Sequence, residues 1–319
     1  MELEPVIKQE FMKEFPRCEP LIKDHTAIHA AKTCFRKYFY QIVIGRVPNN
    51  EAIYFAFGSS YHKFREVLEF EYLEKTKGMD SKQKREALNE IGEAALLIAT
   101  NAATATWKRK TKGKDPDVTD KFGFMTGLRL VQSCMTAYKF WLNEKKLGKI
   151  EVLSVEQPFN VMFPDGSSTS GRADQIVRWN GQLWGRDFKT TSKEGNYYSR
   201  GLEPNDQFTR YTYAESKLSG QRVEGQIIEV LYNSKTKGPI INTYLSSRTE
   251  SQINNWVKEQ MHFLKLLELN RKEDVWPMEE VNCPFCPYHQ VCKKANEAAM
   301  INELKANYIY RPWDNTKID

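Results

Sequence analysis

Two acids and a lysine stand out by their spacing in the segment GRADQIVRWNGQLWGRDFKTT, residues 171–191. Asn180-Gly181 at its centre is a strong signal for a two-residue hairpin turn, and β-prone runs flank it on both sides. Such a turn pairs Trp179 with Gln182. Each step outward keeps the strands in register, so Asp174 comes to face Asp187. Directly opposite side chains lie about 4.5–5.5 Å apart at Cβ, and like charges placed there repel. Lys189, two residues beyond Asp187, shares their face because strand side chains alternate. Two carboxylates and an ammonium converging on one spot make a site for a divalent cation with a catalytic lysine beside it. A solvated polar face among arginines would carry the same pattern. The alternation sends Ala173, Val177, Trp184 and Phe188 to the opposite face, which reads as core.

For those residues to meet, the middle of the chain must be a sheet. Strand-like runs fall at 150–163, 168–179, 182–190, 222–233 and 239–246, with the turn sequence PDGS at 164–167 closing the first hairpin. Between the third and fourth runs a helical pattern from Pro204 to Ser219-Gly220 supplies a crossover. Apolar residues at helical spacing mark His62 to about Glu74, 81–107, 124–146 and a long helix near 249–269. The basic, turn-rich WKRKTKGKDPD at 107–117 reads as a loop interrupting them. The expected fold is α/β, a central mixed β-sheet flanked by helices. It divides into a helical N-terminal part (1–148), the sheet with its crossover helix (149–248) and a C-terminal helix with a cysteine-rich segment (249–319), all within one domain.

Whole-chain properties narrow the class. At 319 residues with 40% hydrophobic and 12% aromatic content, the chain can bury a substantial core. A net charge of +6 is compatible with a polyanionic partner without requiring one. The opening MELEPVIKQEFMKEF carries acids where a secretory signal would be basic, and no apolar run approaches the roughly 20 residues of a membrane span. The expectation is a cytoplasmic protein with no membrane association. In that reducing compartment the six cysteines are thiols or metal ligands rather than disulfides. No GxxxxGK[ST] loop occurs, which disfavours an ATP-driven motor.

The second constellation is NCPFCPYHQVC, residues 282–292. Cys283, Cys286 and Cys292 are close enough in sequence for their thiolates to wrap one metal centre, with a fourth position left to fill. Cys34, in AAKTCFRKYFY, and His289 are the candidates for it. Local spacing alone serves a zinc knuckle and an iron–sulfur cluster equally well. Cys18 and Cys134 lack such neighbours and read as ordinary buried thiols.

Taken in order, Cys34 before FRKYFY, Gly58-Ser59-Ser60-Tyr61-His62, Gly171-Arg172-Ala173-Asp174, Asp187-Phe188-Lys189-Thr190, Gln207 with Tyr211, and the three-cysteine tail form a series. That series resembles the PD-(D/E)XK nuclease superfamily, and within it the RecB-like branch with an iron–sulfur staple, whose members include AddB-type recombination nucleases and CRISPR-adaptation exonucleases. The resemblance extends from about Cys34 to Cys292, nearly the whole chain. It implies a restriction-endonuclease-like core and a metal-dependent deoxyribonuclease, an exonuclease or end-processing enzyme of recombination or repair. The substrate would be single-stranded DNA or duplex ends, with a helicase or recombinase as partner.

Residue by residue, the resemblance implies that Asp174 and Asp187 bind Mg2+ or Mn2+. The Phe188 carbonyl and His62 join them, and Lys189 orients or deprotonates the attacking water. Without the resemblance, His62 is an ordinary helix-face histidine. Gln207 and Tyr211, one helical turn apart, match a motif that contacts the DNA strand beside the site, although a polar–aromatic pair packed under the sheet has the same spacing. Glu156 falls where some relatives place an acid near the metal. Cys34, Cys283, Cys286 and Cys292 would hold a [4Fe-4S] cluster, with Zn2+ as the alternative. By chain entropy, such a tie between residues 34 and 283 is worth roughly 5 kcal/mol. Two other functions compete: a catalytically idle nuclease fold serving as a DNA-binding subunit, which the intact Asp174, Asp187 and Lys189 disfavour, and a zinc-stabilised interaction protein with incidental acids.

Overall fold

The computed structural model describes residues 9–18, 23–50, 52–119, 121–193 and 199–313; the start of the acidic N-terminal stretch read above, residues 1–8, lies outside them. In chain order the principal helices are α1 (His25–Thr33), α2 (Ile53–Lys75), α3 (Leu88–Thr111), α4 (Gly127–Leu147), α5 (Asp206–Ser219), α6 (Glu250–Glu273) and α7 (Glu297–Asn307). The strands are β1 (Arg46–Pro48), β2 (Ile150–Met162), β3 (Ser168–Trp179), β4 (Gln182–Thr191), β5 (Val223–Ser234), β6 (Gly238–Ser247) and β7 (Tyr308–Tyr310). They form two compact units, one made of Met1–Asn50, Asn160–Gly171 and Asn254–Ile318, the other of Glu51–Phe159 and Arg172–Ile253.

The second unit carries the α/β architecture. Its sheet has the order β2-β3-β4-β5-β6. The pairs β3–β4 and β5–β6 are antiparallel and β4–β5 is parallel, which makes the sheet mixed. A parallel pair cannot be closed by a tight turn, and α5 provides the crossover. This helix starts after Pro204 rather than on it, because the Asn205 side chain accepts the Phe208 N–H and caps the first turn, while Gly220 closes the other end in the left-handed conformation.

The face of the sheet bearing Phe188 and Leu231 is covered by α2, α3 and α4. Phe57, Tyr61, Phe64 and Leu68 line one side of α2 at helical spacing. Ala95, Ala99 and Ala103 repeat every fourth residue on α3 and, lacking bulk, let that helix approach closely, while Trp141 fills the space from α4. The opposite face packs Ile228, Val230 and Tyr232 against Phe208 of α5 and Leu202. The helix expected over 81–107 is interrupted: a short helix, Ser81–Glu86, ends before α3 begins. Its start is fixed by a capping box between Asp80 and Gln83. Helix α3 then runs on to Thr111, so the first residues of the basic segment are helical and the loop starts later than the sequence suggests.

The first unit holds the cysteine-rich segment. Its core is aromatic: Phe11, Phe39 and Trp276 are in ring contact, with centroids 6.0 and 5.3 Å apart. Strands β1 and β7 pair antiparallel from Arg46↔Tyr310 to Pro48↔Tyr308, a two-stranded sheet the sequence pattern does not announce. No helix among the described residues is long and apolar enough to cross a membrane.

Close packing of β5 on β6 gives a direct test. A Cβ at Gly225 would lie 2.2 Å from the Ser246 carbonyl oxygen and 2.6 Å from Ser247 Cα, both backbone atoms that cannot turn aside. Gly225→Ala is therefore expected to lower stability by about 3 kcal/mol, whereas Gly201→Ala, which would meet nothing within 4 Å, should change it by less than about 0.5 kcal/mol. Denaturant unfolding of the two variants checks this, and equal stability would contradict the tight β5–β6 packing.

Candidate active site

The hairpin forms in the expected register. Asn180 and Gly181 both have positive φ, 50° and 80°, as a type I′ turn requires. The strands pair from Trp179↔Gln182 through Gln175↔Arg186. One step further, the Asp174 carboxylate reaches across: its Oδ2 accepts the Phe188 N–H at 2.8 Å. Ala173, Val177, Trp184 and Phe188 are buried, as the alternation predicts.

The second unit brings every residue predicted for the catalytic site into one neighbourhood. Lys189 Nζ lies 2.5 Å from Asp187 Oδ2, an ion pair that opposes the effect of burial on that carboxylate. From α2, His62 Nδ1 stands 3.4 Å from Asp174 Oδ2. From α5, Gln207 Nε2 points to Asp187 Oδ1 at 3.5 Å and donates to the Tyr211 hydroxyl at 3.1 Å. Glu156, on β2, has a left-handed backbone with φ 51°, a conformation costly for a non-glycine residue, and its Oε2 lies 3.8 Å from Arg172 Nε.

The three carboxylates do not share the repulsion equally. Burial, which would raise the Asp174 carboxyl, is outweighed by the charges of His62 and Lys189 and by the Phe188 N–H, and Asp174 is held low. Asp187 is pushed up to about 6, first by burial and then by the Asp174 charge, with Lys189 opposing. Glu156 is pushed up to about 8 by burial and by the charges of Asp174 and Glu66. Burial would lower His62, but Asp174 overcomes it and the imidazole is raised. Among the described residues no three His, Cys, Asp or Glu side chains converge closely enough to enclose an ion as they stand. The donor set nonetheless suits a hard cation: anionic oxygens crowded by like charge, with Asp187 pushed up by burial and by the Asp174 charge.

Behind the hairpin lies a buried ion network that sequence reasoning missed. Glu229 on β5 pairs with Arg65 of α2 at 2.9 Å and with Arg186 of β4 at 2.7 Å. Arg186 also makes two 2.8 Å bonds to Glu144 of α4. Glu69 of α2 accepts from Trp141 Nε1 at 2.7 Å and contacts Lys145. The Arg65 and Arg186 guanidiniums lie 4.4 and 5.4 Å from the Phe188 ring centroid, so the residue between the two catalytic-site positions of β4 is fixed by cation–π contact. The pleat offered one signal: Arg186 shares parity with Trp184 and Phe188, hence the core side.

In the first unit, Cys34, Cys283, Cys286 and Cys292 line one cavity of about 180 Å³, with Lys37 and His289 also at its wall. The Glu279 N–H donates to Cys34 Sγ at 3.5 Å, and Cys283 Sγ donates to the Glu279 carbonyl at 3.5 Å. Burial raises the Cys286 and Cys292 thiols, against the lowering effect of Lys37 and Arg36 respectively. Sulfur donors around a common space near cations suit a soft or cluster metal. Cys134 is buried in the helical core, its thiol pushed up to about 12 by burial, and Cys18 is half-buried with its Sγ 3.8 Å from the Tyr310 hydroxyl.

The unequal carboxylates set an order of stability for substitutions at this site. In metal-free protein, Asp187→Asn should melt at or above wild type, because it removes the crowded charge. Asp174→Asn should cost about 1–2 kcal/mol, because that carboxylate is the well-served one. Calorimetry in chelator checks the order, and a more stable Asp174→Asn than Asp187→Asn would contradict it.

The sequence profile of the PD-(D/E)XK nuclease superfamily matches residues 25–293. No curated protein matches the chain. A solved structure titled "Crystal structure of SSO0001" is similar at 12% identity and a TM-score of 0.29, covering 86% of this chain and 98% of its own; at that distance the likeness adds nothing to the assignment. The profile match begins at the first residue of α1 and takes in the hairpin, the crossover helix and all four cavity cysteines, and on that breadth the chain belongs to the PD-(D/E)XK nuclease superfamily.

Proposed function

We propose that this chain is a metal-dependent DNA nuclease of the RecB-like branch, an exonuclease or end-processing enzyme of recombination or repair that acts on single-stranded DNA or duplex ends. The observation that carries the reading is the gathering of Asp174, Asp187 and Lys189 by one hairpin, with His62 against Asp174. A complete acid–acid–lysine set weighs against an idle DNA-binding fold. Asp174, Asp187, His62 and the Phe188 carbonyl would hold Mg2+ or Mn2+, which when bound acidifies water and neutralises charge on the phosphate.

The chain's own groups do the rest. Lys189, its ammonium 5.8 Å from the Phe208 ring centroid and beside Asp187, orients the attacking water and offsets charge developing on the phosphoryl oxygens. Gln207 and Tyr211, hydrogen-bonded to each other, face the strand being cut. Glu156, raised toward neutrality, is a further acid within the field of Asp174. Cys34, Cys283, Cys286 and Cys292, gathered at one cavity, would hold a [4Fe-4S] cluster that ties distant parts of the chain together, in preference to Zn2+. A cytoplasmic setting and a helicase or recombinase that delivers DNA ends fit this role.

Digestion of end-labelled single- and double-stranded DNA, linear and circular, tests the activity. Cleavage should require Mg2+ or Mn2+ and fall at least about 100-fold in Lys189→Ala. Absence of digestion on every substrate, or wild-type rates in Lys189→Ala, would overturn the reading. Protein purified without air should be brown and hold about four irons per chain. Serine at any of the four cavity cysteines should bleach it, while Cys134→Ser leaves the colour intact. Stoichiometric zinc without iron would overturn the cluster assignment.

A further inference from the structure

The end of α2 that precedes His62 carries features the cleavage chemistry does not use. Tyr54 and Phe55, in its first turn, are 42% and 58% exposed. They touch each other with centroids 4.4 Å apart, and Tyr54 continues to Phe122 at 5.5 Å, over which Lys121 Nζ stands at 5.4 Å. Scattered exposed aromatics need no explanation, but two exposed rings in contact, the first of them seated on a half-buried Phe122 that carries a cation, form a surface.

Its position on the helix gives that surface a direction. Phe55, Gly58 and His62 lie at i, i+3 and i+7, one stripe along α2. A Cβ at Gly58 would lie 3.3 Å from Thr190 Oγ1, so the stripe runs past the end of β4. From Phe55 to His62 the axial distance is about 10 Å. At about 3.4 Å per stacked nucleotide, that is about three nucleotides. The glycine lets Thr190 of β4 close against the helix between them.

A strong positive charge adjoins the aromatics. Edge-to-face packing of Trp107 on Phe57, centroids 6.0 Å apart, brings the end of α3 to the start of α2. Lys108, Arg109 and Lys110 occupy the last turn of α3, and Lys112 and Lys114 follow. Among the described residues, Asp115 accepts from Trp107 Nε1 at 3.1 Å and Gly127 N at 2.9 Å, and Asp117 accepts from Thr119 at 3.0 Å, so these two acids are held in place and temper the basic run without outnumbering it. Exposed aromatic faces beside a basic run are what a single nucleic-acid strand requires, since every base can stack and every phosphate needs a cation.

We propose that Tyr54, Phe55 and Phe122 form a stacking platform for unpaired DNA bases about three nucleotides from the scissile phosphate, with the basic segment 108–114 holding the backbone. The proposal rests on the nuclease reading for the identity of the scissile site. It gives the single-stranded preference of that reading a structural cause, because paired bases cannot lie flat on the rings.

The test measures oligonucleotide binding in the Asp187→Asn protein, which the nuclease reading expects to bind DNA without cutting it, with a single abasic site scanned along the strand. Adding Tyr54→Ala and Phe55→Ala should weaken single-strand binding about tenfold, Phe55→Trp should retain it, and blunt duplex binding should change little. One or two abasic positions should cost the parent about tenfold and cost the double variant nothing more. Unchanged affinity in the double variant, or the same abasic profile in both proteins, would overturn the platform. Digestion by wild type separates the two levels: a stacking profile without digestion supports the platform and removes the nuclease reading, and digestion with a flat profile overturns the platform alone.

Discussion

A two-residue turn in which both residues are left-handed leaves a hairpin one register, and the candidate site depends on that constraint. Asn180 and Gly181 fix Trp179 opposite Gln182, and the pleat then decides the face of every residue outward to Asp174 and Lys189. A slip of one residue would turn the acids into the aromatic core and bring Phe188 and Trp184 to the face that α5 covers. The site is thus a consequence of backbone geometry before any side chain finds a partner. The charges arranged by it are unequal: Asp174 is served by His62 and the Phe188 N–H, while Asp187 bears the crowding.

The buried network explains how such a site stays in place. Glu229 joins α2 to β4 through Arg65 and Arg186, and Arg186 continues to α4 through Glu144. Breaking a buried pair from one side typically costs about 3–5 kcal/mol, so these elements are locked together rather than merely packed. Both guanidiniums sit over the Phe188 ring, and Phe188 donates to Asp174. The support and the site therefore share one residue. Helix α2 links them as well, since it carries Arg65 inward and His62 toward the acids.

Much of this was legible in the sequence where a rule is strict. The period of two and the Asn-Gly turn yielded the hairpin register and its core face; helical periodicity and Gly220 located the crossover helix. The five-stranded mixed sheet with flanking helices agrees with the expected restriction-endonuclease-like α/β class. Other features stayed hidden for physical reasons. Arg65, Glu69, Glu144 and Glu229 are residue types that normally face water, and nothing local marks them as mutually satisfied. The left-handed backbone at Glu156 is imposed by its setting in β2, since residue type alone favours the ordinary region. The extension of α3 through Lys108–Thr111 followed from lysine and arginine being good helix formers, against a basic composition that reads as loop.

The central claim is that the hairpin carboxylates form a cation site with Lys189 beside it rather than within it. Mn2+ titration followed by electron paramagnetic resonance tests this most directly, on wild type, Asp174→Asn, Asp187→Asn and Lys189→Ala. The account predicts binding by wild type and by Lys189→Ala, and a loss of at least about tenfold in affinity for each Asn variant, whose lost charge removes a hard anionic ligand. Mn2+ affinity that is the same in wild type and both Asn variants would contradict it.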